Sequence, residues 1–208
     1  MRLLVRAVKP RPKTKGAASS TAKAVRVADG KIAVRPVTIE SWKDFVGLFE
    51  IKGSPHYCWC TPYRLRDARH LDHAEKKSLM KGLVADEIPI GVLAFEGDEP
   101  IGWCSIAPRE TYVRLERART MPRMTPVASS TWTVLCFFVP RSRRKRGVTQ
   151  ALLEGAVAYA RDHGAQIVEG YPFDTAGISS THRGHSHVFE AAGFRQEGKR
   201  WARVIRRA

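Results

Sequence analysis

The sequence predicts an α/β domain, on three observations. Residues 132–164 read as a strand, a basic turn and one amphipathic helix. Residues 90–106 read as a strand hairpin. On either side, apolar segments switch between an alternating period and a helical one. At 208 residues and 43% hydrophobic composition, the chain is long enough to bury one such core.

Taken in order, residues 1–30 hold eight Lys/Arg against one Asp and carry no sustained period. Leu3-Leu4-Val5 is too short for a signal-peptide core. We read this stretch as a disordered basic extension in preference to an organellar transit peptide, and 31–208 as the domain. Lys31 to Pro36 is a first strand. Thr38 then caps a helix whose Trp42, Phe45, Val46 and Phe49 sit at i, i+3, i+4 and i+7. Ser54 to Tyr63 is an aromatic, proline-bounded loop. Asp72 and Glu75 have capping-box spacing ahead of the stripe Leu79, Met80, Leu83, Val84. Ile90 to Phe95 and Pro100 to Ile106 are joined through Glu96-Gly97-Asp98-Glu99. Residues 108–131, basic and turn-rich, read as a solvated connector with Glu110, Tyr112 and Glu116 as its candidate chemical groups.

Thr133 to Val139 is β-branched and aromatic until Pro140 halts it, the composition of a strand buried on both faces. Val148, Leu152, Ala156 and Ala160 then fall every four residues beside Leu153 and Val157. Gln150, Glu154, Arg161 and Asp162 take the opposite side, and His163-Gly164 ends the helix. Gln166 to Pro172 is a further strand, Val188 to Phe194 closes a helix, and Arg195 to Arg207 forms a basic strand pair.

The turn between strand and helix, Arg141 to Gly147, packs five cations around one glycine. First-turn amides of a helix lack internal partners and carry the positive end of its dipole, so this unit has the means to hold phosphate. The net charge of +16, of which residues 1–30 supply +7, favours polyanions such as coenzyme phosphates or nucleic acid. The four cysteines, Cys58, Cys60, Cys104 and Cys136, form no secreted disulfide pattern, which points to a reducing cytoplasm. His56, Cys58 and Cys60, with His70 or His73, offer one Cys-x-Cys pair where structural zinc uses paired knuckles, so no metal is assigned. No apolar run approaches the length of a membrane span.

Arg144-Lys145-Arg146-Gly147-Val148-Thr149 resembles the acyl-coenzyme A motif of the GNAT superfamily of N-acetyltransferases, Arg/Gln-x-x-Gly-x-Gly/Ala between the fourth strand and third helix. Arg144 and Gly147 match, and Thr149 stands where a smaller residue is usual. Gly102-Trp103 and Val188 to Phe194, with Phe189 at a usual tyrosine, also resemble that family. Cys58-Trp59-Cys60 resembles a bacterial Cys-Trp-Cys subgroup of it. The resemblance implies the GNAT acyl-CoA N-acyltransferase fold: a mixed twisted sheet of six to seven strands with helices on both faces. The fourth and fifth strands splay so that a pantetheine arm lies between them. It also implies acetyl-CoA as co-substrate, held by Phe137, Phe138, Val139, Arg144, Lys145, Arg146, Gly147, Val148 and Thr149, and allows a homodimer.

The implied reaction is direct transfer of the acetyl group to a primary amine acceptor. It needs a donor at the thioester carbonyl, such as a backbone amide near Phe138 or Val139. It needs a base for the amine, for which Glu110, Asp174 or an ordered water are candidates. The leaving thiolate needs a proton, which Phe189 cannot give; Tyr171, Ser186 and His187 are the substitutes. His182, His185 and His187 otherwise decorate an exposed loop and helix start. The alternative is a basic nucleic-acid or ribosome-associated protein on the same scaffold without catalysis, contacting nucleic acid weakly through its tail. Against it, the sequence lacks an RNA-recognition motif and zinc-finger spacing.

Overall fold

A computed structural model describes residues 25–27, 32–123, 130–174 and 181–205. Its strands are β1 (Val25–Val27), β2 (Ile32–Pro36), β3 (Val92–Glu96), β4 (Glu99–Pro108), β5 (Thr131–Phe138), β6 (Ile167–Gly170), β7 (Arg195–Glu197) and β8 (Arg200–Val204). They make one sheet in the order β1-β2-β3-β4-β5-β6-β8-β7. β5 and β6 pair parallel and the other neighbours antiparallel. The helices are α1 (Trp42–Glu50), α2 (His73–Ala85), α3 (Val148–Asp162) and α4 (Ser186–Ala191).

The expected order of elements holds, with one addition. Val25–Val27 lies inside the stretch expected to be disordered, yet its backbone pairs with Ile32–Val34 of β2. The sheet therefore has eight strands among the described residues instead of six or seven. Three residues are too few to set up a readable period, whereas the open edge of β2 offers unpaired donors and acceptors to any extended neighbour. Residues 1–24 and 28–30 lie outside the described residues. The strands expected to splay as fourth and fifth are thus β5 and β6.

Helices cover both faces. Val148, Leu152, Ala156 and Phe189 of α3 and α4 share one core with Val34, Ala94, Ile106 and Val134. On the other face Trp42, Phe45 and Phe49 of α1 and Met80 and Val84 of α2 pack with Leu93, Trp103 and Phe138. α2 begins as its spacing predicts: Glu75 N–H donates to Asp72 Oδ1 and Asp72 N–H donates to Glu75 Oε2, both at 2.8 Å. At α1 the cap is Ser41 and not Thr38. Thr38 instead exchanges bonds with Ser41, its N–H donating to Ser41 Oγ at 2.9 Å, in a turn that precedes the helix.

The connector after β4 is not simply solvated. Glu110 and Glu116 are exposed, but Tyr112, Leu115 and Met121 build a third small core with Ala107, Leu135 and Tyr171. Two 3-10 turns, Arg109–Thr111 directly before Tyr112 and Leu115–Arg117, bring the chain back onto the sheet there. Turns that short leave no period in the sequence.

Two glycines seat α3 on the sheet. A Cβ on Gly102 of β4 would come within 2.9 Å of Val148 and 3.2 Å of Leu152. One on Gly155 would sit 2.4 Å from Val34 of β2. Close approach of helix to sheet fixes where the first turn of α3 stands.

Candidate active site

α3 starts at Val148 directly after Gly147, which holds a left-handed φ of +74° and places no side chain over the helix end. No side chain caps the helix there. Lys145 is also left-handed, at φ +60°. The first-turn amides therefore have no side-chain cap, and the positive pole of the dipole stands behind them.

The five cations of this loop do different jobs. Arg143 pairs with Glu96 at 2.7 Å and with Glu99, and Arg146 pairs with Glu96 at 2.8 Å. Both are thereby tied to the β3–β4 hairpin turn and largely neutralised. Arg144 donates from Nε to the carbonyl of Val139 at 3.0 Å, bracing the end of β5 against the loop. Arg141 and Lys145 are exposed and make no ion pair among the described residues.

Beside this loop the sheet forks. Thr131 to Val134 pair with Ile167 to Gly170, and the parallel ladder ends there while β5 runs on to Phe138. The register with β4 slips at the same place: Ile106 faces Val134 but Ser105 faces Cys136, leaving Leu135 bulged. Alternation along β5 breaks accordingly. Trp132, Val134, Phe137 and Val139 face the α3 core, whereas Leu135 and Cys136, adjacent in sequence, both face the other side. A bulge bends its strand, and Phe137, Phe138 and Val139 lie beyond the residues that pair with β6.

Just before the fork a buried polar cluster bolts the strands together. Thr133 Oγ1 donates to Glu169 Oε1 at 2.9 Å, and Arg109 Nη1 donates to the same oxygen. Arg109 also donates to Tyr171 Oη at 2.8 Å and to the Met121 carbonyl at 3.0 Å. Arg109 is 2% exposed, Glu169 and Thr133 not at all. None of these three was singled out from the sequence. The available signal was Glu169 itself, a carboxylate inside an apolar strand, which must find a cation when buried.

The family model for the acetyltransferase (GNAT) family matches residues 46–174. The chain belongs to the GNAT acetyltransferase family. No curated protein matches it significantly. Among solved structures it resembles the GNAT domain of S. lividans PAT, with 23% identity over 88% of this chain and 96% of that one, at a TM-score of 0.50. It also resembles an uncharacterized protein from Bacillus halodurans, with 11% identity over 83% of each chain and a TM-score of 0.52. Likeness at these identities establishes the GNAT fold. Acetyl-CoA is the co-substrate of GNAT acetyltransferases, and an uncapped helix start beside a forked sheet fits a diphosphate with an extended arm. Among the described residues no helix is long and apolar enough to cross a membrane.

Within this GNAT frame the residues expected to supply protons fall into two places. Tyr171 is 1% exposed, and its hydroxyl donates to the Pro122 carbonyl at 2.8 Å while accepting from Arg109. Burial, then the nearby Glu169 carboxylate, pushes its phenol well above the usual range. Ser186 and His187 stand at the start of α4. Ser186 N–H donates to Asp174 Oδ1 at 2.9 Å, and hydrogen bonding from Ser186 holds the Asp174 carboxyl below its ordinary range. Ser186 is half-buried and His187 exposed, its ring stacked at 5.7 Å on His185, whose Nδ1 lies 3.7 Å from Asp174. This segment reaches the fork, because a Cβ on Gly184 would be 3.0 Å from the Phe137 ring. Phe189 is fully buried against Phe137, Phe194 and Gly170. Among the described residues no three His, Cys, Asp or Glu groups converge as metal ligands, around Cys58 or elsewhere.

Proposed function

We propose that this chain transfers the acetyl group of acetyl-CoA directly to a primary amine, with residues 31–208 as the acetyltransferase domain. The observation that carries the reading is the coincidence of an uncapped, left-handed Gly147 helix start with the point where β5 leaves β6. In this reading the amides of Val148 and Thr149 and those of Lys145, Arg146 and Gly147 hold the diphosphate, the Arg144 amide being spent on the Arg141 carbonyl, and Arg141 and Lys145, without an ion pair among the described residues, add charge. Phe137, Phe138 and Val139 line the gap opened by the bulge, and a backbone amide there polarises the thioester carbonyl. The bound co-substrate supplies an activated acetyl group.

The chain's part is to bind, orient and manage protons. Tyr171 has its proton committed to Pro122, so the leaving thiolate takes its proton from Ser186, His187 or a water they hold. In this reading Asp174, bonded to the Ser186 N–H and beside His185, draws a proton from the amine through water or His185. Pairing of Arg143 and Arg146 with glutamates weighs against a purely polyanion-binding role for this loop.

A thermal-shift titration with acetyl-CoA, followed by an amine screen read as released thiol, tests the reading. Stabilisation by acetyl-CoA and amine-dependent thiol release are expected. Salt-sensitive RNA binding with no response to acetyl-CoA would replace this reading with the non-catalytic one.

A further inference from the structure

Between α1 and α2 the chain passes through Tyr57-Cys58-Trp59-Cys60, and Trp59 and Cys60 both adopt left-handed backbone, at φ +45° and +50°. Neither residue tolerates that region cheaply, and two in succession have to be held there by the surroundings. The Trp59 ring supplies the hold: it is fully buried and stacked on Phe49 at 5.2 Å, with Lys77 Nζ over the ring at 5.7 Å from its centre. The folded-back turn brings the N–H of Cys60 onto Cys58 Sγ at 3.4 Å. Cys60 and Cys136 of β5 lie in one buried cluster, and Cys58 packs against it. Lys76 of α2 donates to the Tyr57 carbonyl at 3.0 Å, which fixes an ammonium beside Cys58.

An amide donor and a nearby cation beside one sulfur favour the thiolate. The Cys58 thiol is accordingly drawn down to about 7, first by the Cys60 thiol. Burial holds the Cys60 thiol well above its usual range. Cys58 is half-buried and Cys60 buried. A half-buried thiolate whose sulfur accepts from the backbone N–H of a sheltered, protonated cysteine two residues on is the pairing of a reacting and a resolving cysteine.

We propose that Cys58 and Cys60 are a peroxide-sensitive dithiol, a modification site on the same face of the sheet as Cys136. The Cys58 sulfur attacks one oxygen of hydrogen peroxide or an organic hydroperoxide. The O–O bond breaks, an S–O bond forms, and the other oxygen leaves as water or alcohol. Cys60 then attacks the sulfur of the sulfenic acid, forming S–S as S–O breaks, and its thiol proton departs with the hydroxyl as water. Two thiols lose two electrons and two protons, and one peroxide takes them up. This site is independent of acetyl transfer, and its readout is chemical.

The full chain is treated with hydrogen peroxide under native conditions, alkylated and cut with trypsin. Lys52 and Arg64 bracket a peptide, 53–64, whose cysteines are Cys58 and Cys60. Its expected form is unalkylated and short by two hydrogen atoms, becoming doubly alkylated after reduction. Fully buried Cys104 stays reduced and reports that the fold has not opened. In Cys60→Ser, a dimedone adduct accumulates on Cys58. Doubly alkylated 53–64 after peroxide, a Cys60–Cys136 cross-link in its place, or oxidation of Cys104 at the same rate would each overturn the proposal. Because the wild-type peptide alone distinguishes these outcomes, the test holds even if the variant fails to fold.

Discussion

At Gly147 one hydrogen in place of a side chain decides two things. Its φ of +74° is open to glycine, and its bare Cα leaves the α3 amides uncovered. Gly147→Glu puts a carboxylate against the proposed diphosphate position, and calorimetric affinity for acetyl-CoA is expected to vanish. Gly147→Ala strains the backbone by about 1–2 kcal/mol without adding charge, and should retain weakened binding. Equal affinity in Gly147→Glu and wild type would move the coenzyme elsewhere. Glu169 decides something different. Its partner Arg109 lies sixty positions away in sequence, so no local pattern could announce the pair. Glu169→Gln leaves a buried guanidinium without its anion and should cost about 3–5 kcal/mol in urea denaturation. Replacing both residues with methionine should recover most of that loss. If the single variant unfolds at the wild-type urea concentration, the cluster does not clamp the fork.

Elements were legible where a period ran long enough. α3, with its four-residue apolar spacing, spans Val148–Asp162 as read, and the Asp72/Glu75 box opens α2 with both reciprocal bonds. The fork was implied by family resemblance, but its cause was not readable. A bulge at Leu135 inserts one residue into a run that is apolar throughout, so composition does not change where alternation slips. The third core was missed for a related reason, since Leu115 sits in a turn of three residues, Tyr112 directly follows another, and Met121 lies in irregular chain beyond them. What positions α3 is likewise a contact between elements: Gly155 against Val34. Gly155 has helical backbone, so alanine there raises helix propensity by about 1 kcal/mol and would stabilise an isolated helix. Here its Cβ meets Val34 at 2.4 Å, and overpacking of this kind costs about 1–3 kcal/mol. Gly155→Ala is therefore expected to lower the melting temperature, and Val34→Gly, which also removes the Val34 Cβ at 2.5 Å, to relieve the added cost in a double-mutant cycle. A stabilised Gly155→Ala would mean that α3 floats free of β2.

For the whole molecule the question is where its charge acts. The +16 is not one field. Arg143 and Arg146 spend theirs on Glu96 and Glu99, Arg109 on Glu169, and Arg200 on Glu197. Residues 1–24, by contrast, carry seven Lys/Arg and no acid. We propose that polyanion attraction and coenzyme binding belong to separate parts of the chain, the first to a charge-rich stretch and the second to backbone amides at one helix start. Counterion release makes the two separable by experiment, because the slope of log affinity against log salt shrinks by about one for every phosphate no longer neutralised. Deleting residues 1–24, which stops short of β1, should weaken retention on RNA at low salt and flatten its salt slope. The thermal shift given by acetyl-CoA should stay as it is in the full chain. Loss of that shift on deletion would show the basic stretch reaching the coenzyme, and the division of labour between charge and amides would fail.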